Sequence, residues 1–318
     1  MIRIFSYSHS TTRMETPGIA ELPTHLSDPD RMIWVDLEDP NDEEVGVLGG
    51  IFGFHVLAAE DCIRGDYLPK VDAYDAYTFL VLHAIDLEAL KEGIETIEVG
   101  IFIGERFLVT HHDRQVKGIF DARGKVAQNP GSLLKSPDWL LHVIVDAMVD
   151  HYQLALDAFD ERVAHLEGDL GKSDDLAQGV IGLQTELARL QRVGVLQEPI
   201  MAQMASGHIS WISDENQVYF RNVYDHMVRA VQVMGFLIDR ISGALSVWTA
   251  QSVTQGAQNA RLTSVMVTVF APLLLIAVLF QMELGKLMPG SIGLFVGLGL
   301  LVAIAGGTVG LLKWKKWL

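Results

Sequence analysis

At 318 residues with a formal net charge of −16, the chain has room for one large or two modest cores and lacks the basic excess that a nucleic-acid partner requires. Its one cysteine, Cys62, excludes an internal disulfide framework and a Cys-rich zinc site, and reads as a packed thiol. Acidity of this size is either solvated surface or a summed field that draws cations.

The opening "MIRIFSYSHSTTRMETPG" has no apolar central region and no small-residue cleavage site, so no signal peptide is expected. Residues 1–133 therefore read as a cytoplasmic α/β domain. Within it, "RMIWVDLED" has the pattern of a strand, and "NDEEVGVLGGIFGF" that of a helix capped by Asn41 with acids in its first turn. "PKVDAYDAYTFLVLHAIDL", "ETIEVGIFIGE" and "RFLVTHHD" alternate or run apolar as strands do, and "GER" at 104–106 predicts a tight turn, hence an antiparallel pair. No Gly-rich phosphate loop stands at a strand–helix junction and no Ser-His-Asp set is legible, which points away from an enzyme. His111, His112 and Asp113 invite a metal reading, but adjacent strand side chains face opposite ways. A satisfied or exposed strand-end pair fits better.

From about Leu134 the pattern is helical. Residues 134–213 read as a helical hairpin, its second arm perturbed by Pro199. A third helix begins near Asp214 and meets no strong breaker before Pro272. Continuous to Phe280, it would have about 65 residues and a length of about 100 Å. Along it, Ser242, Ser246, Thr249, Ser252, Gln255, Asn259 and Thr263 recur at three- or four-residue steps, and Val267, Ala271, Leu274 and Val278 continue the series. Two readings stand open: a solvated face, or copies of the chain packed around a wet axis in place of a dry coiled-coil seam.

Two apolar runs, 262–280 and 292–312, are each long enough to cross a membrane as a helix. Arg261 precedes the first; Lys313, Lys315 and Lys316 follow the second, and the loop at 281–291 carries only Lys286. Positive-inside bias then puts both outer ends in the cytoplasm, with 214–261 a cytoplasmic stalk, 281–291 facing outward and 313–318 a basic cytoplasmic tail. Trp314 and Trp317 suit the interface, Pro272 predicts a kink, and pairs such as Gly293–Gly297 and Gly306–Gly310 predict close helix packing. Two spans cannot enclose a pore, so conduction requires a ring of subunits, with the first span as the liner.

The order of these parts resembles the CorA-type divalent-cation transporters. "WVDLEDPNDEEVGVL", "EDCIRGDYLPKVDAYDAYTFLVLHA" and "IFIGERFLVTHH" are similar to that family's N-terminal strands. "LARLQRVGVLQEPIMAQM" resembles its second long helix, "MVTVFAPLLLIAVLF" its first span, and "KWKKWL" its tail. The resemblance implies an α+β membrane protein: a homopentameric funnel in a bacterial-type inner membrane, with a pore lined by the first span. In the family that span ends in aromatic-Gly-Met-Asn, whose asparagine ring meets the hydrated ion. Here the run is Phe280, Gln281, Met282 and Glu283, keeping only the aromatic and the methionine. "ELGKLMPG" looks closer to the loop of the zinc-transporting branch.

An asparagine offers hydrated Mg2+ a neutral carbonyl, whereas a Glu283 ring would be a charged trap whose carboxylates could also ligate Zn2+ directly. A simple Glu283–Lys286 ion pair on the loop is the alternative. The expectation is thus a transporter of Zn2+ or Mg2+, with Co2+ and Ni2+ open, holding no permanent cofactor and partnered by itself and by lipid. Gln255, Asn259, Thr263, Val267, Ala271, Leu274 and Val278 are the candidate lining, and Phe280 to Glu283 the mouth. By resemblance, acidic residues such as Asp225 and Asp239 could bind regulatory metal. A non-conducting sensor or partner-binding relative with a degenerate pore is the rival reading.

Overall fold

Apolar-rich segments between Ile2 and His112, several of them near-continuous runs, build a seven-stranded sheet. The structure is a computed structural model and describes residues 1–65, 67–89, 93–169 and 175–279, with the isolated positions 299, 302, 303, 306, 307 and 310. In chain order the sheet region holds β1 (Ile2–Ser8), β2 (Arg13–Glu15), α1 (Leu22–Ser27), β3 (Arg31–Glu38), α2 (Asp42–Gly50), α3 (Val56–Arg64), β4 (Lys70–Ala73), β5 (Tyr77–Ile85), β6 (Thr96–Gly104) and β7 (Phe107–His112). Their spatial order is β2-β1-β3-β7-β6-β5-β4. The β3–β7 pair is parallel and the others antiparallel. The turn at 104–106 joins β6 to β7 as an antiparallel hairpin, and Asn41 caps α2 by accepting from the Glu44 amide at 2.9 Å. β1 and β2, an antiparallel pair before Arg31, are strands that the sequence reading of the 1–133 domain does not mark.

The central strands are buried on both faces. Ile33, Val35, Leu37, Phe79, Val81, Phe102 and Val109 pack with Val47, Leu48, Phe54, Ala58 and Cys62 from the α2–α3 side. Cys62 is 2% exposed and burial pushes its thiol pKa up, as expected of a packed thiol. Gly100 on β6 makes this approach possible, because a Cβ there would lie 2.5 Å from Cys62 Sγ. Gly100→Ala is therefore expected to destabilise the protein by about 1–3 kcal/mol through overpacking. A lower urea midpoint would show it; an unchanged midpoint would mean that α3 yields freely.

The other helices are α4 (Lys117–Gln128), α5 (Pro130–Leu133), α6 (Pro137–Asp169), α7 (Asp175–Ala205) and α8 (Asp214–Leu279). Pro199 sits inside α7 without ending it. The chain divides into two units, Met1–Ala244 and Leu245–Leu318. Three polar joints organise the first.

At the carboxyl ends of β3 and β7, Asp36 is fully buried. Its Oδ1 accepts from Thr110 Oγ1 at 2.7 Å and lies 3.1 Å from His112 Nε2; its Oδ2 accepts from Arg123 Nη1 at 2.8 Å. Arg123 on α4 also donates to Glu38 at 2.6 Å, so a buried carboxylate fastens α4 across the sheet.

Beyond the end of β4, the His83 amide on β5 donates to Gln197 Oε1 at 2.6 Å, and the His83 carbonyl accepts from Tyr152 Oη at 3.0 Å. Gln197 donates to Tyr152 at 2.8 Å. Two buried helix side chains thereby satisfy strand groups that β4 leaves unpaired, which tethers α6 and α7 to the sheet.

At the start of α8, Asp138 on α6 accepts through Oδ2 from Ser213 N (2.9 Å), Ser213 Oγ (2.6 Å) and Asn216 Nδ2 (2.9 Å). Its Oδ1 accepts from Ser136 Oγ at 2.5 Å and Trp139 N at 2.9 Å. One carboxylate thus ties the starts of two helices together, and Asp214 and Glu215 add charge that suits the α8 N-terminus.

Candidate functional site

Helix α8 runs from Asp214 to Leu279, and among the described residues it is the one helix long and apolar enough to cross a membrane. In the unit from Leu245 onward, Ser, Thr and Asn would favour other conformations by competing for backbone groups, and Gly by its backbone freedom. The threonine hydroxyls instead bond within the helix. Thr249, Thr254, Thr263 and Thr268 each donate to the carbonyl four residues back, at 2.7–3.0 Å.

Gln255, Asn259 and Thr263 follow one another at four-residue steps, about 6 Å of rise each, and are exposed. Val267, Leu274 and Val278 are 59%, 64% and 50% exposed, and Ala271 is exposed as well. Leu262, Met266, Phe270 and Leu275 are equally open. Exposure therefore runs around this part of α8, and the polar character of 255–263 is what distinguishes one face. Phe280, Gln281, Met282, Glu283 and Lys286 lie outside the described residues, as does most of 292–312, where positions 299, 302, 303, 306, 307 and 310 are helical.

In the unit Met1–Ala244, Asp225 and Asp239 are both exposed on α8. Fourteen residues separate them, about 21 Å along the axis, so they cannot share an ion within one chain. Among the described residues no three His, Cys, Asp or Glu side chains come together in a group that could hold a metal ion. His111 and His112 are buried, not exposed. The ring nitrogens of His112 face Asp36 Oδ1 at 3.1 Å and the Arg114 carbonyl at 2.6 Å; burial lowers the His111 pKa.

A polar run between α6 and α8 went unread in the sequence: His142, Asp146 and Asp150 at four-residue spacing, with His226 opposite. His226 Nδ1 lies 3.6 Å from Asp150 Oδ1, beside a cavity of about 170 Å³ lined by Val149, Asp150, Gln153, His226, Arg229 and Ala230. Burial raises the Asp146 carboxyl pKa and lowers that of His142, whose Nδ1 has no hydrogen-bond partner among the described residues. In each case it is burial that disfavours the charged form. The i, i+4, i+8 spacing on α6 was the available signal, and it gained meaning only once α8 was seen to cover that face.

A family model described as CorA-like Mg2+ transporter protein matches residues 29–314. The chain is 32% identical over 314 residues to YfjQ of Bacillus subtilis, spanning 96% of this chain and 92% of that protein. It is 25% identical to the cobalt/magnesium transport protein CorA of Thermotoga maritima, over 100% of this chain and 92% of that one. With the zinc transport protein ZntB of Pectobacterium atrosepticum it shares 23% identity, over 79% of this chain and 77% of that one. The complete structure of the CorA magnesium transporter from Methanocaldococcus jannaschii superposes with a TM-score of 0.82 at 17% identity, covering 100% of this chain and 99% of that one. The fold is the full-length CorA fold, with an α/β domain and a long helix. The chain belongs to the CorA-like Mg2+ transporter family.

Proposed function

We propose that the protein is a channel-type transporter of divalent metal cations, assembled as a homopentamer around an axial pore. Family membership makes it a transporter and not an enzyme. The observation that carries the pore reading is α8 itself: one helix whose 255–263 stretch keeps exposed carboxamides and a hydroxyl just before an exposed apolar stretch. In this reading Gln255, Asn259, Thr263, Val267, Ala271, Leu274 and Val278 line the pore, while Leu262, Met266 and Phe270 meet lipid or the second span at 292–312. The α/β domain, the 134–213 hairpin, the stalk to 261 and the 313–318 tail are cytoplasmic, the loop 281–291 faces out, and the membrane is the inner membrane. Asp225 and Asp239, exposed on α8, take part in metal regulation across subunits and not as a pair within one chain.

By its resemblance to the family, Glu283 takes the place of the signature asparagine, and with four symmetry mates it would present a ring of carboxylates at the mouth. Carboxylate oxygen can ligate Zn2+ directly but does not single out that metal; the reading leans to Zn2+ over Mg2+ because the asparagine signature of the magnesium transporters is missing. Relatives named for magnesium and for zinc transport are both similar to this chain. Uptake of Zn2+, Mg2+, Co2+ and Ni2+ into proteoliposomes tests the proposal; absence of flux for all four would leave a non-conducting relative. Glu283→Ala is expected to lower Zn2+ flux by about tenfold, and Lys286→Ala to leave it within about twofold. Unchanged flux in Glu283→Ala would overturn the carboxylate ring while leaving transport intact.

A further inference from the structure

Asp138 ties down the start of α8, and one turn further along α6 the contact between the two helices changes character. His142 is 8% exposed, and its buried Nδ1 has no hydrogen-bond partner among the described residues. The ring is held by aromatic neighbours instead. It stacks on Trp139 with centroids 5.3 Å apart, and meets Tyr219 and Phe220 of α8 at 5.3 and 5.6 Å, the phenylalanine edge-on. Two consecutive residues of α8 thus close over a titratable ring of α6.

A neutral imidazole has one N–H and one acceptor nitrogen, whereas an imidazolium carries an N–H on both. A proton on His142 in this position would bury a charge and leave its Nδ1–H without an acceptor, which costs far more than solvating the same ring in water. The surroundings return little of that cost. The indole on which His142 stacks already holds the Lys135 ammonium 3.6 Å from its centroid, so a like charge stands where a cation–π contact would have helped. Asp146, one turn along α6, is the carboxylate that favours the charge, but it is not bonded to Nδ1. The other charged groups facing this contact are Asp150 of α6, His226 of α8 and Lys125 of α4, which act on Asp146, and Arg229, which lines the cavity beside Asp150 and His226. Burial accordingly lowers the His142 pKa, with Lys135 adding to the shift and Asp146 opposing it.

We propose that His142 makes the α6–α8 contact an acid-release joint: a proton taken up by the ring drives it from between Trp139, Tyr219 and Phe220 into water and frees the opening turns of α8 from α6. A histidine that the folded contact keeps neutral contributes stability that is intact above its ordinary 6.5 and is lost as pH falls below that value toward the folded one. Asp138 keeps its hydrogen bonds through this window, because its carboxyl pKa lies below 3.8, so the release is local and does not unfold the joint next to it. Asp146 carries the opposite sign, since burial raises its carboxyl and a proton there favours the closed contact. All of these groups lie within the unit Met1–Ala244, so the inference stands apart from the pore reading.

Hydrogen exchange of the full-length protein at pH 7.5 and 5.5, corrected for the intrinsic pH dependence of exchange, tests it. Protection of the α8 amides between 214 and 223 is expected to fall by about fivefold in the parent on acidification. In His142→Phe, which keeps a ring in the aromatic contact but cannot titrate, that protection should stay level. Asp146→Asn removes the carboxylate that favours the charge and should enlarge the acid loss. His83, His111 and His151, whose pKa values burial also lowers, remain in all three proteins, so their contributions cancel in the comparison. An equal acid loss in His142→Phe overturns the proposal. So does its disappearance in Asp146→Asn, which would assign the proton to the carboxylate and decides the matter even where His142→Phe folds poorly. A loss spread evenly over the sheet would likewise overturn a joint confined to α6 and α8.

Discussion

Arg123→Ala is expected to lower the unfolding free energy of the full-length protein by about 3–5 kcal/mol, because it strands a buried charge. Asp36 is fully buried at the carboxyl ends of the parallel strands, and Arg123 supplies its closest formal countercharge at 2.8 Å. Arg3 Nη1 is 3.8 Å away and is engaged with Glu38 at 2.5 Å, so it offers partial compensation and pulls the expectation toward the lower end. Thr110 cannot substitute for charge. Its hydroxyl donates to Asp36 while accepting from Trp34 Nε1 at 3.2 Å, and that indole is itself fully buried. Urea unfolding followed by tryptophan fluorescence reads the loss. The double substitution Asp36→Ala with Arg123→Ala should be less destabilised than Arg123→Ala alone, since it removes the stranded charge. Equal or additive loss would mean that Arg123 acts through packing and not through Asp36.

The same cluster sets an acid limit. Burial alone would raise the Glu38 carboxyl pKa, but hydrogen bonds from Arg123 and Arg3 outweigh it and hold it at about 2, against an ordinary 4.5. A carboxyl depressed in the folded state contributes its stability above the unfolded value and loses it as pH falls toward the folded one. The Glu38 contribution is therefore intact above about pH 4.5 and disappears between about 4.5 and 2.

What could be read from sequence divides by how local the signal is. The Asn41 cap, the 104–106 turn and the Asp214 start of α8 depend on residues within one turn of each other, and each stands where its pattern put it. Strand β1 was hidden by being buried along both faces over Ile4–Ser8, with Ser6 and Ser8 among the buried residues, so "IRIFSYS" shows no clean alternation of apolar and polar residues. In α4, "KGIFDARGKVAQ" carries two glycines that argue against a helix. Gly118 is explained by approach instead of propensity, since a Cβ there would sit 3.2 Å from Ala147 Cβ on α6. The Asp36 cluster joins residues 3, 36, 38, 110, 112 and 123, which only strand register and the docking of α4 bring together. For the proposed conduction face, composition along α8 picks out the candidate stripe, but exposure around a single helix does not rank its faces.

Asp138→Ala is expected to destabilise the full-length protein by about 3 kcal/mol, and Asp138→Asn by roughly half as much. The reasoning is an accounting of donors. Asp138 is 4% exposed and receives five hydrogen bonds, from Ser136 Oγ, Trp139 N, Ser213 N, Ser213 Oγ and Asn216 Nδ2. Alanine leaves all five donors without it in a buried joint, whereas asparagine keeps one acceptor oxygen and turns an amide toward the rest. Burial opposes ionisation of Asp138, but the hydrogen bonds from Ser136, Ser213 and Asn216 prevail and its pKa lies below the ordinary 3.8. Its stabilisation is therefore complete above about pH 3.8 and lost as pH falls through the depressed folded value, so Asp138→Asn should flatten the acid limb of a stability–pH curve. The location gives the defect a signature beyond a lower midpoint. Ser213 and Asn216 begin α8, so hydrogen exchange should rise first in the opening turns of α8 and at the start of α6, with the β3–β7 core still protected. Uniform loss of protection across the sheet would show that Asp138 supports the whole first unit, and exchange confined to α6 would show that Ser213 finds another cap.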